Sequence, residues 1–204
     1  MTEPGWDSEW VRAFSDALQP REVSEPLKAA ALAGDLAAWT TLLTGVVVGS
    51  CQRLRWPAAA KGHKLDRLPR AGQEYLGIDV MAFPPDDGGQ PRPRWPLPLA
   101  VYELENSPSD ERVAYSLWKV TCVRAELRVV FAYRRDWERV KDLLQALKRD
   151  VLEEHSIKDR MNLGDETLIV TGSRGEGETF PYGYFKVWRL NPNIGSFERY
   201  TGWK

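Results

Sequence analysis

The N-terminal third of the chain carries apolar residues at helical spacing. The first set recurs at intervals of four, at Trp6, Trp10, Phe14 and Leu18. This spacing predicts a helix over residues 4–20. A second helical pattern runs from Leu27 to about Arg55, with Ser24 as its predicted N-cap. Gly34 interrupts this pattern and marks either a bend or a break between two helices.

Short apolar runs rich in β-branched and aromatic residues predict strands in the rest of the chain. These runs are residues 75–83, 99–105, 127–133, 167–171 and 182–190. Helices are predicted between them, over residues 109–124, with Ser109 as the N-cap, and 136–155. The run 127–133 is almost continuously apolar, which is typical of a central strand covered on both faces.

The order of these elements predicts an α/β domain with three layers, α/β/α, around a central mixed sheet. We expect residues 1–22 to form an N-terminal helical extension. Residues 23–204 are then expected to form one α/β domain, a size that can bury a substantial core.

Composition and charge narrow the classes of function. The chain has 28 Lys and Arg against 29 Asp and Glu, so nucleic-acid binding would require a local basic surface. Cys51 and Cys122 lie in apolar helical contexts, which predicts buried thiols in a reducing compartment. No apolar run reaches the length of a membrane span, and the acidic N-terminus does not resemble a secretory signal. We therefore expect a cytoplasmic protein without a membrane partner.

Three carboxylates stand in predicted strands where a buried strand should carry none. Asp79 lies between two apolar residues, and Glu103 and Glu105 project from one face of the next strand. A buried carboxylate is unstable unless it is paired, protonated or bound to a cation, and neighbouring carboxylates resist ionising together. Carboxylate oxygens are the ligands that Mg²⁺ and Mn²⁺ prefer. The pattern therefore predicts a metal site, with ion pairs to arginines as the alternative.

The order of these acids and elements resembles the PD-(D/E)XK nuclease superfamily, which includes many restriction and repair endonucleases. In that family an Asp on the second core strand and a Glu or Asp on the third bind Mg²⁺, and a Lys two residues later assists the attacking water. By resemblance, Asp79 corresponds to the first acid and Glu103 to the second. Glu105 stands at the usual lysine position, which departs from the motif. Some members recruit a lysine from the following helix, where this chain has Lys119.

The resemblance implies a restriction-endonuclease-like fold and hydrolysis of DNA phosphodiester bonds with Mg²⁺ or Mn²⁺. The implied catalytic residues are Asp79, Glu103, Glu105 and Lys119, and the three acids are the implied metal ligands. Basic and aromatic residues suited to DNA contacts are Lys61, Lys64, Arg92, Arg94 and Trp95. Further basic groups that could contact phosphates are Arg53, Arg55, the rest of the basic segment 61–70, Arg134 and Arg135. No separate DNA-reading domain is evident, so specificity would come from a homodimer or a partner protein.

Two other interpretations stay open. In the first, the nuclease fold has lost catalysis and serves as a DNA-binding or protein-binding component, which Glu105 at the lysine position would explain. In the second, the chain is a small α/β interaction protein whose acids form structural ion pairs.

Overall fold

The computed structural model describes residues 5–66, 68, 75–85, 95–162 and 166–202. Its seven strands form one mixed sheet in the order of the sequence. The strands are β1 (Ala58–Ala60), β2 (Val80–Ala82), β3 (Ala100–Leu104), β4 (Leu127–Arg134), β5 (Thr167–Ser173), β6 (Phe185–Asn191) and β7 (Ser196–Arg199). β3, β4 and β5 run parallel to one another, and the other neighbouring pairs are antiparallel.

Helices precede the sheet and connect its parallel strands. They are α1 (Trp6–Leu18), α2 (Arg21–Ala33), α3 (Leu36–Arg53), α4 (Asp110–Thr121), α5 (Trp137–Leu147) and α6 (Ile157–Asn162). A π-helical turn, Lys148–Leu152, continues α5, and short 3-10 helices cover Tyr75–Gly77 and Arg174–Thr179. Within the described ranges, no helix is both long and apolar enough to cross a membrane.

Different helices cover the two faces of the sheet. On one face, Tyr102 of β3 packs against Trp10 of α1, with 5.3 Å between the ring centroids. On the other face, Val101 of β3 belongs to an apolar cluster with Leu117 of α4 and Leu143 of α5. The predicted α/β architecture with a central mixed sheet is confirmed, and the N-terminal helix contributes directly to the core.

The helix boundaries correct one sequence prediction and confirm another. Gly34 separates α2 from α3 in the left-handed conformation, with φ of 67°, so it is a break between two helices. The prediction of Ser24 as an N-cap is wrong. The helix already begins at Arg21, and the Ser24 hydroxyl donates to the carbonyl of Pro20 from inside the first turns. Pro20 supplies a backbone conformation that leads into the helix one turn earlier than the apolar pattern indicates.

The strand predictions differ from the structure at the edges of the sheet. β1 is a run of three alanines, which have a low β propensity, so the apolar pattern predicts no strand there. The strand predicted over 75–83 is shorter, because Leu76 has a positive φ of 56° and lies in the 3-10 helix that precedes β2. β7 lies beyond the last predicted strand, where the sequence pattern predicts no element. Cys122 is exposed and not buried as predicted, because it follows the last turn of α4.

Candidate functional site

The carboxyl ends of β3, β4 and β5 meet at one side of the sheet, called the carboxyl edge below. β2 runs in the opposite direction, so its first residue lies at this edge. Cα pairing places Ala60, Val80 and Tyr102 in one row across β1, β2 and β3. The next residue outward is Asp79 on β2 and Glu103 on β3. In α/β sheets, the carboxyl ends of the parallel strands are where ligands usually bind.

Asp79 and Glu103 are held in fixed positions. Asp79 Oδ2 accepts a hydrogen bond of 2.6 Å from the backbone N–H of Leu104, which ties the end of β3 to the start of β2. Glu103 lies on the face of β3 that packs against α4, and only 4% of the residue is exposed. The two carboxylates are close enough for the charge of Asp79 to raise the pKa of Glu103.

Lys119 reaches this pair from α4. Its Nζ lies 2.7 Å from Glu103 Oε2 and donates a second hydrogen bond of 2.7 Å to the carbonyl of Gly77. α4 follows β3 directly and packs its apolar stripe on the sheet, so its third turn brings the lysine over the strand. The structure therefore places Lys119 beside Glu103, and its catalytic role stays a prediction.

Burial dominates the electrostatics of Glu103. Loss of solvation raises the pKa of this carboxyl to about 7, although hydrogen bonds from Lys119 and from the backbone of Asp79 oppose the rise. Oε1 of Glu103 is buried and has no hydrogen-bond partner among the described residues. A buried oxygen without a partner is unfavourable, so this carboxyl is suited to hold a proton or a cation at neutral pH.

Glu105 has a different environment. Its Oε1 accepts a hydrogen bond of 2.7 Å from the backbone N–H of Ser107, in the turn that leads to α4. Within the described residues, no group of three or more His, Cys, Asp and Glu side chains is arranged to hold a metal ion. The structure therefore brings together Asp79, Glu103 and Lys119, and Glu105 as a third metal ligand stays a prediction.

The residues predicted to contact DNA do not all lie at this edge, because Trp95 precedes the amino end of β3, at the opposite edge of the sheet. Lys61 and Lys64 are exposed in the turn that follows β1, and Lys61 comes directly after Ala60 of the row described above. Trp95 is 70% exposed. Arg92 and Arg94 lie outside the described residues.

A second group of charged residues lies at the carboxyl edge, and the sequence pattern predicted two of its four members. Arg134 and Arg135 end and follow β4, whereas Arg139 and Arg174, which were not singled out, come from α5 and the segment after β5. All four line one pocket. The sequence feature that could have identified these arginines is their position just beyond predicted parallel strands, because chain segments distant in sequence meet there.

Comparison with protein-family models, with curated proteins and with solved structures gives no match to this chain. The functional assignment therefore depends on the geometry and electrostatics of the site.

Proposed function

We propose that this chain is a Mg²⁺- or Mn²⁺-dependent nuclease that hydrolyses DNA phosphodiester bonds at the Asp79–Glu103 pair. One observation carries the proposal. Two carboxylates lie side by side at the carboxyl edge, and the buried Oε1 of Glu103 has no hydrogen-bond partner among the described residues. A lysine ammonium stands next to the same carboxyl group.

The position of the acids in the sheet supports the restriction-endonuclease-like form of the fold. The resembled family carries its first acid on the second core strand and its second acid on the third. With β1 present, Asp79 directly precedes the second strand and Glu103 lies on the third. Helices on both faces of the sheet fit the three-layer arrangement.

The residues present fit a divalent cation. Asp79 and Glu103 would hold it, because a cation supplies the partner that Glu103 Oε1 lacks and relieves the repulsion between the two carboxylates. When bound, such an ion lowers the pKa of a water molecule and stabilises the leaving oxygen. Oε1 of Glu105 accepts the hydrogen bond from Ser107, so this acid is not needed to hold the ion.

In the proposed reaction a water oxygen attacks phosphorus, the bond to the 3′ oxygen breaks, and that oxygen takes up a proton. Lys119 carries its charge at the position where negative charge would develop on the phosphate. Its second hydrogen bond, to Gly77, holds the ammonium in place before substrate binds. Glu103 keeps Lys119 close to the sheet, and Asp79 is oriented by the N–H of Leu104.

The same geometry favours a second candidate, a nuclease-fold component that binds DNA or protein without cleaving it. The Lys119 ammonium already neutralises one oxygen of Glu103 at 2.7 Å. In this candidate the lysine is a permanent replacement for a metal ion, and the acids are structural. The remaining alternative, an interaction protein whose acids form structural ion pairs, would contain the same contact between Lys119 and Glu103.

Cleavage assays separate these candidates. We expect wild type to cut plasmid or single-stranded DNA with Mg²⁺ or Mn²⁺ and to be inactive in EDTA. Asp79→Asn retains an acceptor for Leu104 but loses the charge, and we expect its rate to fall by about 100-fold or more. Glu25→Gln, on the exposed surface of α2, is the matched control and should cut at the wild-type rate. Absence of cleavage by wild type with both metals, or equal rates for wild type and Asp79→Asn, would contradict the nuclease proposal.

A further inference from the structure

Four arginines converge on a pocket of about 540 Å³ at the carboxyl edge, called the arginine pocket below. Its described lining contains no acidic side chain. The lining residues are Gly34, Leu36, Asn106, Pro108, Tyr133, Arg134, Arg135, Arg139 and Arg174. The charge of this lining is suited to an anion and not to a cation.

The sheet topology explains why these residues meet. The pocket is formed where β3, β4 and β5 end, and where α3, α4 and α5 begin. The first turn of a helix presents free backbone N–H groups and a positive dipole end, which favour anions. These helix starts are already capped by the side chains of Asp35, Ser109 and Asp136, so the four guanidinium groups carry most of the positive charge at this location.

Most of the arginine charge in the pocket is available for a ligand. Arg134 is largely buried and is paired with Asp110, and it also donates to the carbonyl of Tyr133. Arg135, Arg139 and Arg174 are exposed and form no ion pair within the described ranges. The guanidinium carbon of Arg174 lies 5.3 Å from the ring centroid of Tyr133, which fixes its orientation.

The nearby carboxylates have other partners. Asp35 accepts a hydrogen bond of 3.0 Å from the N–H of Ala38 and caps α3. Asp136 accepts one of 2.9 Å from the N–H of Arg139 and caps α5. In the described part of the chain neither carboxylate forms an ion pair with an arginine of the pocket.

Two buried polar groups lie in the wall. Tyr133 is only 2% exposed, and its side chain packs against Trp39, whose side-chain hydrogen bond acts on the phenol. Oδ1 of Asn106 is buried and has no hydrogen-bond partner among the described residues, although its amide nitrogen donates to Thr40. Burial raises the pKa of Tyr133 well above its ordinary value, so the phenol stays neutral and keeps its donor proton. Because Oδ1 of Asn106 is an acceptor, it adds no donor for an anion, and the anion preference of the pocket comes from its arginines.

We propose that the arginine pocket binds a phosphate group of the nucleic-acid strand on which the Asp79–Glu103 pair acts. Guanidinium groups bind phosphate oxygens with paired hydrogen bonds, and three of them here are free to do so. The acids lie on β2 and β3 and the pocket on β4 and β5, so strand spacing separates them by about 10 Å along one edge. A strand anchored in the pocket therefore passes the acids. The identity of the strand rests on the proposed nuclease function, whereas the phosphate chemistry of the pocket does not.

The test measures binding without cleavage. Short fluorescein-labelled single-stranded DNA is titrated with protein in EDTA, and anisotropy reports the dissociation constant. We expect the double variant Arg139→Gln/Arg174→Gln to bind at least about tenfold more weakly than wild type. For this variant the slope of log K against log salt concentration should be shallower by about 1.4, since each lost phosphate contact removes about 0.7 from the slope.

The control double variant is Arg12→Gln/Arg21→Gln, which removes the same charge from exposed positions. Arg21 begins α2 and lies about 18 Å along that helix from its end near the pocket. This control should bind DNA as wild type does. Arg139→Gln alone serves as a second probe, because Arg139 is exposed on α5 and its loss leaves the Arg174–Tyr133 contact intact.

Three results would overturn the proposal: no DNA binding by wild type, wild-type affinity in the arginine-pocket variant, or an equal loss in the control. A further experiment uses inorganic phosphate alone as the ligand. If phosphate raises the melting temperature of wild type but the pocket does not affect DNA binding, the pocket serves a small phosphate compound and the nucleic-acid assignment is wrong. Wild type that binds DNA through the pocket but does not cleave it with Mg²⁺ or Mn²⁺ contradicts the nuclease proposal alone and supports the pocket.

Discussion

The ammonium nitrogen of Lys119 lies 2.7 Å from Oε2 of Glu103 and joins α4 to β3 inside the domain. This contact lowers the pKa of Glu103, but burial outweighs it and the pKa rises to about 7. One ion pair therefore stabilises the packing of a helix on the sheet and also keeps a cationic group beside a carboxyl that is difficult to ionise.

Replacement of Lys119 by Met should destabilise the folded protein, because Glu103 stays buried without its cationic partner. The change removes the cationic partner of Glu103 but keeps the length of the side chain. We expect the free energy of unfolding to fall by about 2 kcal/mol in urea denaturation at mildly alkaline pH. In a Glu103→Gln background the same substitution should cost much less, because no buried anion remains. Additive effects of the two substitutions would show that the pair is not coupled.

Glu103 should also make stability depend on pH. In the unfolded chain the group ionises near pH 4.5, and in the folded protein near 7, so the folded state keeps a proton that the unfolded state releases between these values. Its contribution to the free energy of unfolding therefore falls as the pH rises through this window, by up to about 3 kcal/mol. Glu103→Gln lacks this loss and should become more stable relative to wild type from pH 4.5 to 7. Parallel pH profiles for the two proteins would mean that the pKa of Glu103 is not raised.

Lys119→Met also distinguishes catalysis from structure. If the ammonium stabilises charge on the phosphate, the single-turnover cleavage rate should fall by about 100-fold. Binding of Mn²⁺ should not weaken, because the substitution removes a cation that competes for Glu103. An unchanged cleavage rate in a folded variant would remove Lys119 from the mechanism.

Two glycines allow a matched test of the helix break between α2 and α3. A Cβ at Gly34 or at Gly45 would have nothing within 4 Å, but only Gly34 has a positive φ, of 67°. Gly34→Ala should therefore lower the free energy of unfolding by about 1 kcal/mol. Gly45→Ala, inside α3, should raise it by about 0.5–1 kcal/mol. Thermal or urea denaturation measures both, and equal effects of the two substitutions would contradict the break.

The parts of the fold that local chemistry determines were predictable from the sequence. The N-cap of α4 is an example, since Ser109 accepts the hydrogen bond from the N–H of Arg112 that its residue type indicates. β1 was missed because three alanines carry no strand pattern, and its pairing with β2 depends on tertiary contacts.

Some residues of the candidate site were also predictable from the sequence, and others were not. Asp79 and Glu103 were recognisable because carboxylates are rare in apolar strands, and Lys119 because it interrupts an apolar helix. Arg139 and Arg174 were not recognisable, since each is an ordinary surface arginine until the ends of β4 and β5 bring them together.

The proposed nuclease chemistry depends most on whether Asp79 and Glu103 hold a divalent cation. Titration of wild type with Mn²⁺ slightly above pH 7, with free Mn²⁺ followed by electron paramagnetic resonance, measures this directly. We predict saturable binding of Mn²⁺ to wild type and to the surface control Glu25→Gln, and loss of that binding in Asp79→Asn and Glu103→Gln. Absence of binding to wild type, or equal binding to wild type and Asp79→Asn, would contradict a metal site at this pair and leave Lys119 as the permanent partner of Glu103.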